Sequence, residues 1–82
     1  MNIQSEIKTF VLDELLAGAR PDLGLDEPLF SSGTLDSLGT LRLIAFLEER
    51  YGITISDGDV GESNFGSLKL LSEFVEKKRQ AA

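Results

Sequence analysis

Asp36 and Ser37, followed by Leu38, are the residues of this 82-residue chain whose types and order suggest chemistry: a carboxylate, then a hydroxyl, at the start of a helical pattern. A serine hydroxyl is a weak nucleophile unless a base stands beside it. This chain has neither histidine nor cysteine. A thiol nucleophile, a histidine base, a disulfide framework and a metal site of nitrogen and sulfur ligands are therefore closed. Serine with a lysine base, or a pair of carboxylates, remains formally open, but neither occurs at a spacing that suggests it. Taken alone, Asp36-Ser37 is also an ordinary helix start, a capping residue and the first residue after it.

The elements that position this pair can be read from periodicity. Ile3, Ile7, Phe10, Val11 and Leu15 recur at intervals of three and four, the spacing of one apolar stripe on an α-helix. With Asn2 as N-cap, Gly18 as a stop and Pro21 opposing continuation, the first helix is expected over about Ile3 to Ala17. From Ala19 to Leu35 the chain turns to Pro21, Gly24, Pro28, Ser31, Ser32 and Gly33, with Leu23, Leu25, Leu29, Phe30 and Leu35 between them. Loops this long are uncommon in compact domains, and five large apolar residues predict one packed down onto the core.

Asp36 caps a second helix that runs through Ser37 to about Tyr51, where Gly52 ends it. At about 100° per residue, Leu43, Ile44, Leu47 and Tyr51 share one arc, the core face, with the Tyr51 hydroxyl reaching solvent. Leu38, Leu41 and Ala45 share another arc, bordered by Arg42, Glu48 and Glu49. Either that helix is buried on two sides or it offers an apolar strip to something outside the domain; Leu41 in particular is open between packing under the loop and facing out. Glu48 and Glu49 read as a solvated face. Ile53-Thr54-Ile55 alternates like a strand but has no second strand to pair with, so an extended connection is expected. Asp57 to Gly61 reads as a turn, Glu62 to Phe65 as one helical turn, and Ser67 as the N-cap of a last helix in which Leu68, Leu71, Phe74 and Val75 line one face up to about Arg79. The fold class is all-α: a small bundle of three main helices plus one short helix, with a long loop between the first two.

Composition agrees with a single domain over residues 1–82. Hydrophobic residues make up 41% and charged residues 27%, ordinary values for a soluble globular domain. No apolar stretch approaches the roughly 20 residues that cross a bilayer, and no basic segment followed by an apolar one opens the chain, so a cytoplasmic, unexported monomer is expected. The 14 acidic residues against 8 basic ones give a net charge of −6, which argues against nucleic acid as a partner and for basic protein surfaces. The run Lys77, Lys78, Arg79 reads as a complement to the last helix's dipole.

Leu29-Phe30, Gly33 and then Asp36-Ser37-Leu38 opening an amphipathic helix that ends at Tyr51-Gly52-Ile53 resembles the acyl carrier proteins and the peptidyl carrier domains of nonribosomal peptide synthetases. The resemblance covers nearly the whole chain. It implies a protein that is not itself an enzyme, with 4'-phosphopantetheine from coenzyme A attached at Ser37 by a separate phosphopantetheinyl transferase. Asp36 would cap the helix and could help to coordinate the transferase's metal ion during attachment. The open amides and positive end of a helix favour a phosphodiester there, and the cargo-bearing thiol belongs to the cofactor, which fits the absence of cysteine.

The chain departs from carriers of bacterial fatty-acid synthesis by having Gly39 and Arg42 where those usually carry acids. The stretch from Leu41 to Ile53 is more similar to peptidyl carriers. The resemblance thus implies a freestanding aminoacyl or peptidyl carrier, loaded by an adenylating ligase and unloaded by a downstream acyl- or aminoacyl-transferring enzyme. The partner face is expected at Leu38, Leu41, Arg42 and Ala45. The alternatives are a specialised acyl carrier for fatty or polyketide chains and, from another class, an unmodified helical interaction module.

Overall fold

The computed structural model describes residues 2–18 and 22–81. Helix α1 spans Ile3–Phe10, α2 Ser37–Tyr51, α3 Glu62–Phe65 and α4 Leu68–Ala81, with a single 3-10 turn at Asp57–Asp59 between α2 and α3. There is no strand among the described residues, and none of their helices is long and apolar enough to cross a membrane. The all-α bundle and the extended connection after Gly52 thus follow the periodicity.

Asn2 caps α1 as expected, its Oδ1 accepting from the Ser5 amide at 2.7 Å. The first helix differs in its second half. Instead of continuing as α-helix to Ala17, it widens into a π-helical turn over Val11–Leu15, with the Leu16 amide donating back to the Val11 carbonyl at 3.0 Å. The i to i+5 spacing inserts one residue into the turn. Val11 is buried, and Leu12, Leu15 and Leu16 all pack against the core. Ala17 and Gly18 then take left-handed backbone (φ 51° and 79°), and the Gly18 amide closes on the Leu12 carbonyl at 2.8 Å. Ala19 and Pro21, the expected start of the loop and the barrier to helix continuation, lie outside the described residues.

The long loop is packed down. Leu23, Leu29 and Leu35 are buried and Phe30 leans on the core, whereas Leu25 stays exposed. Backbone bonds pin it to the α3–α4 corner: the Leu29 amide donates to the Gly66 carbonyl at 2.9 Å, and the Lys69 amide to the Leu25 carbonyl at 3.1 Å. Gly66 has no room for a side chain, since a Cβ there would run into the carbonyl of Glu62. At the corner Ser67 caps α4, its Oγ accepting from the Leu70 amide at 3.2 Å. Leu68, Leu71, Phe74 and Val75 form α4's buried face, against which α1 and α3 pack.

On α2, Leu43 and Leu47 are fully buried, while Ile44 and Tyr51 lie partly buried at the edge of the core. Gly52 (φ 66°) ends the helix in the left-handed conformation that glycine adopts without steric cost. Two expectations are corrected here. The Tyr51 hydroxyl does not run out to solvent but donates to Glu6 Oε1 of α1 at 2.7 Å. Glu48 is no merely solvated residue, because its Oε2 accepts the Ile55 amide at 2.8 Å and so holds the extended connection against the end of α2. Glu49 is exposed as expected. Nor are the basic residues near the C-terminus only dipole complements: Lys78 pairs with Asp59 at 3.0 Å and Arg79 lies 5.7 Å from the centre of the Tyr51 ring.

Candidate functional site

The start of α2 is built by the residue before it. Asp36 has extended backbone (φ −101°, ψ −172°), and its Oδ1 accepts the Gly39 amide at 2.7 Å while its carbonyl accepts the Thr40 amide at 2.9 Å. Both ends of the capping residue are used, as a helix N-cap requires. Ser37 is consequently the first residue of the helix, and it is exposed. The amides of Ser37 and Leu38 precede any carbonyl of their own helix that they could reach, so they lie at the positive end of its dipole. Behind them the helix is firmly seated: Thr34 and Gly39 are buried, and a Cβ on Gly39 would stand 3.1 Å from Asp36 Oδ1 and 3.9 Å from Leu15 Cδ2.

An open groove of about 590 Å³ runs beside Ser37, lined by Asp36, Ser37, Thr40, Leu41 and Ile44 of α2 and its cap, by Phe30 and Leu35 of the loop, and by Asp57 and Val60 beyond the extended connection. Residues of the loop and of the segment after the connection thus line one groove beside the serine. The hydroxyl, the open amides and the groove fit a phosphodiester-linked arm: the ester oxygen is accessible, the local dipole favours the negative charge, and there is space for an extended chain.

The other expected residues fall on two kinds of ground. Leu38 and Leu41 are 68% and 64% exposed and Ala45 is exposed too, so the second arc of α2 faces out and Leu41 does not pack under the loop. Arg42, expected as a partner contact, is drawn toward the first helix: its Nη1 donates to the Glu14 carbonyl at 3.0 Å and its Nη2 reaches Glu14 Oε1 at 3.3 Å, with the two side chains 47% and 55% exposed. Glu14, Asp57 and Val60 carry no signal in the sequence that ties them to this region. Glu14 precedes Arg42 by 28 residues in the chain, and Asp57 and Val60 sit in a stretch that reads only as a turn.

The family profile described as the phosphopantetheine attachment site matches residues 6–75. The chain belongs to that family of carrier proteins. Members carry covalently attached 4'-phosphopantetheine, whose thiol holds a cargo as a thioester, and they work with phosphopantetheinyl transferases and ligases. Over 99% of this chain and 100% of theirs, the carrier is 35% identical to the D-alanyl carrier protein of Streptococcus mutans and 33% identical to those of Streptococcus gordonii and Streptococcus sanguinis. Its fold is similar to a chain in a crystal structure described as that of an FAD-dependent dehydrogenase, with a TM-score of 0.79 and 30% identity, covering 84% of this chain and 97% of that one. The all-α carrier fold, the cofactor and the family read from Leu29 to Ile53 are as the sequence implied.

Proposed function

We propose that Ser37 is the phosphopantetheine attachment site and that the protein, a single cytoplasmic domain over residues 1–82, carries an aminoacyl group. The observation that carries the first part is the exposed Ser37 hydroxyl on the first residue of α2, capped by Asp36 and open to a groove. The chain has no histidine to activate that hydroxyl, so in this reading the transferase supplies both activation and metal, and Asp36 is near enough in sequence to assist. The chain itself is not catalytic in this reading: it fixes where the arm is rooted and presents it.

The cargo reading rests on end-to-end similarity to proteins named D-alanyl carrier proteins. It agrees with the start of α2, where the exposed residues from Ser37 to Ala45 include no carboxylate. On this basis the loading partner is an adenylating ligase that activates D-alanine, the unloading partner an aminoacyl-transferring enzyme, and Leu38, Leu41, Arg42 and Ala45 face them. A second reading, an acyl carrier for fatty or polyketide chains, is favoured only by the apolar lining Phe30, Leu35, Leu41, Ile44 and Val60 of the groove. Offering the modified protein to D-alanine-activating and fatty-acyl-activating ligases separates them. Thioester formation with D-alanine is expected, and efficient loading with long fatty acids alone overturns the aminoacyl reading.

A further inference from the structure

From Ser37 to Phe46, the first ten residues of α2, the sequence holds one charged residue, Arg42, in a chain whose net charge is −6. The exposed surface there is Leu38, Leu41 and Ala45 with Arg42 beside them. Farther along, Glu49 is exposed, whereas the charges on either side of it are used within the fold: Glu48 holds the Ile55 amide and Arg50 pairs with Glu6 at 2.9 Å. Arg42 is engaged differently. One nitrogen caps the Glu14 carbonyl, which lies in the last turn of the first helix where carbonyls lack helical partners. The other nitrogen meets the Glu14 carboxylate at a long 3.3 Å, with both groups about half exposed. An exposed, single-contact ion pair of this kind is held weakly, whereas a guanidinium and a carboxylate brought together by a docked surface can pair through two bonds.

We infer that Arg42 is a specificity-determining contact for the loading ligase, which presents a carboxylate beside an apolar socket, and that Glu14 holds Arg42's place until that carboxylate replaces its own. The inference rests on the carrier reading and names the chemistry of its partner. The Glu14 carbonyl keeps the guanidinium in place while the carboxylates exchange, so the arginine need not be re-ordered on docking. A ligase whose docking site is basic would face Arg42 as a like charge, and such a contact selects against wrong partners. The exposed face of α2 from Leu38 to Ala45 thus asks for the opposite of what the net charge of −6 suggests.

The test compares holo-protein variants as substrates for the adenylating ligase that loads the wild type with D-alanine, with Tm measured for each. Arg42→Ala is expected to lower kcat/KM about fivefold and Arg42→Glu by more than about tenfold, mainly through KM. Glu14→Gln removes the competing charge but leaves the carbonyl, and is expected to raise kcat/KM about twofold. Opposite signs for the two halves of one ion pair are the signature, because a brace between helices would suffer from either loss. Raising salt should weaken loading of the wild type more than that of Arg42→Ala. Loading of Arg42→Glu at the wild-type rate, or equal losses in Arg42→Ala and Glu14→Gln, overturns the inference and leaves the carrier reading intact. A wild-type protein that takes up the arm but no D-alanine overturns the cargo reading, and this inference with it.

Discussion

The two ends of α2 are made in opposite ways. At its C-terminal end, Tyr51 donates to Glu6, Arg50 pairs with the same carboxylate, Arg79 of α4 lies over the Tyr51 ring, and Glu48 secures the chain that leaves the helix. Three helices and a connection are held there by side chains. At the N-terminal end a single cap from Asp36 starts the helix, after which Ser37, Leu38 and Leu41 stand in solvent. Leucines exposed to 68% and 64% contribute little to folding, and in the proposed function they form the surface that partners touch. One helix thus divides its work, with stability concentrated at its far half and access at its near end.

That division can be broken most severely from the core side. Leu47→Ala removes a fully buried side chain and should cost about 2–5 kcal/mol, enough to unfold much of a domain this small. Thermal or urea unfolding checks it, and a variant that melts like the parent would invert the assignment of α2's two faces.

Tyr51→Phe is the intermediate case. It removes the bond to Glu6 and should lower Tm by about 2–6 °C. The same contact sets a pH dependence. The Tyr51 hydroxyl foremost, with Arg50 assisting, holds the Glu6 carboxyl below its ordinary value. A carboxylate depressed in the folded state contributes stability above its unfolded pKa, and that contribution disappears as pH falls through the folded value. Burial first, then the Glu6 bond, raises the Tyr51 phenol, whose contribution is complete below its unfolded pKa of about 10 and is lost as pH rises through the folded value. Melting curves from neutral pH down to about pH 3 should therefore fall more steeply for the wild type than for Tyr51→Phe. Parallel curves would remove Glu6 from the account.

Leu38→Ala should have the smallest effect on folding, within about 0.5 kcal/mol, while slowing transfer of the arm or of cargo several-fold through loss of an apolar contact. If it melts far below the parent, or accepts arm and cargo at the parent's rate, Leu38 has no place in the contact surface.

What the sequence made legible follows the range of the interactions. Asn2, Asp36 and Ser67 accept amides within a few residues of themselves, the Gly52 amide donates to the nearby Glu48 carbonyl, and these caps are where periodicity and residue type place them. Leu43 and Leu47 were separable from Leu38 and Leu41 because a helix of fixed pitch sorts its residues onto arcs. The π turn at Val11–Leu15 was not legible, since an apolar run of Val11, Leu12, Leu15 and Leu16 serves either helical pitch and the choice is made by packing. Nor were Tyr51 with Glu6 or Arg42 with Glu14, whose partners are 45 and 28 residues away. Periodicity shows which side of a helix a charge lies on. Its partner within the fold is decided by how the helices cross, so Arg42 reads as a partner contact with no tie to Glu14, and Glu48 as solvated.

Attachment of the arm at Ser37 is the claim on which function turns, and intact mass with peptide mapping tests it directly. After incubation with coenzyme A and a phosphopantetheinyl transferase, the wild-type protein should gain the mass of one phosphopantetheine, mapped to the peptide bearing Ser37, and Ser37→Ala should gain none. A gain that persists in Ser37→Ala, or that maps to Ser31, Ser32 or Thr40 instead, would contradict the account.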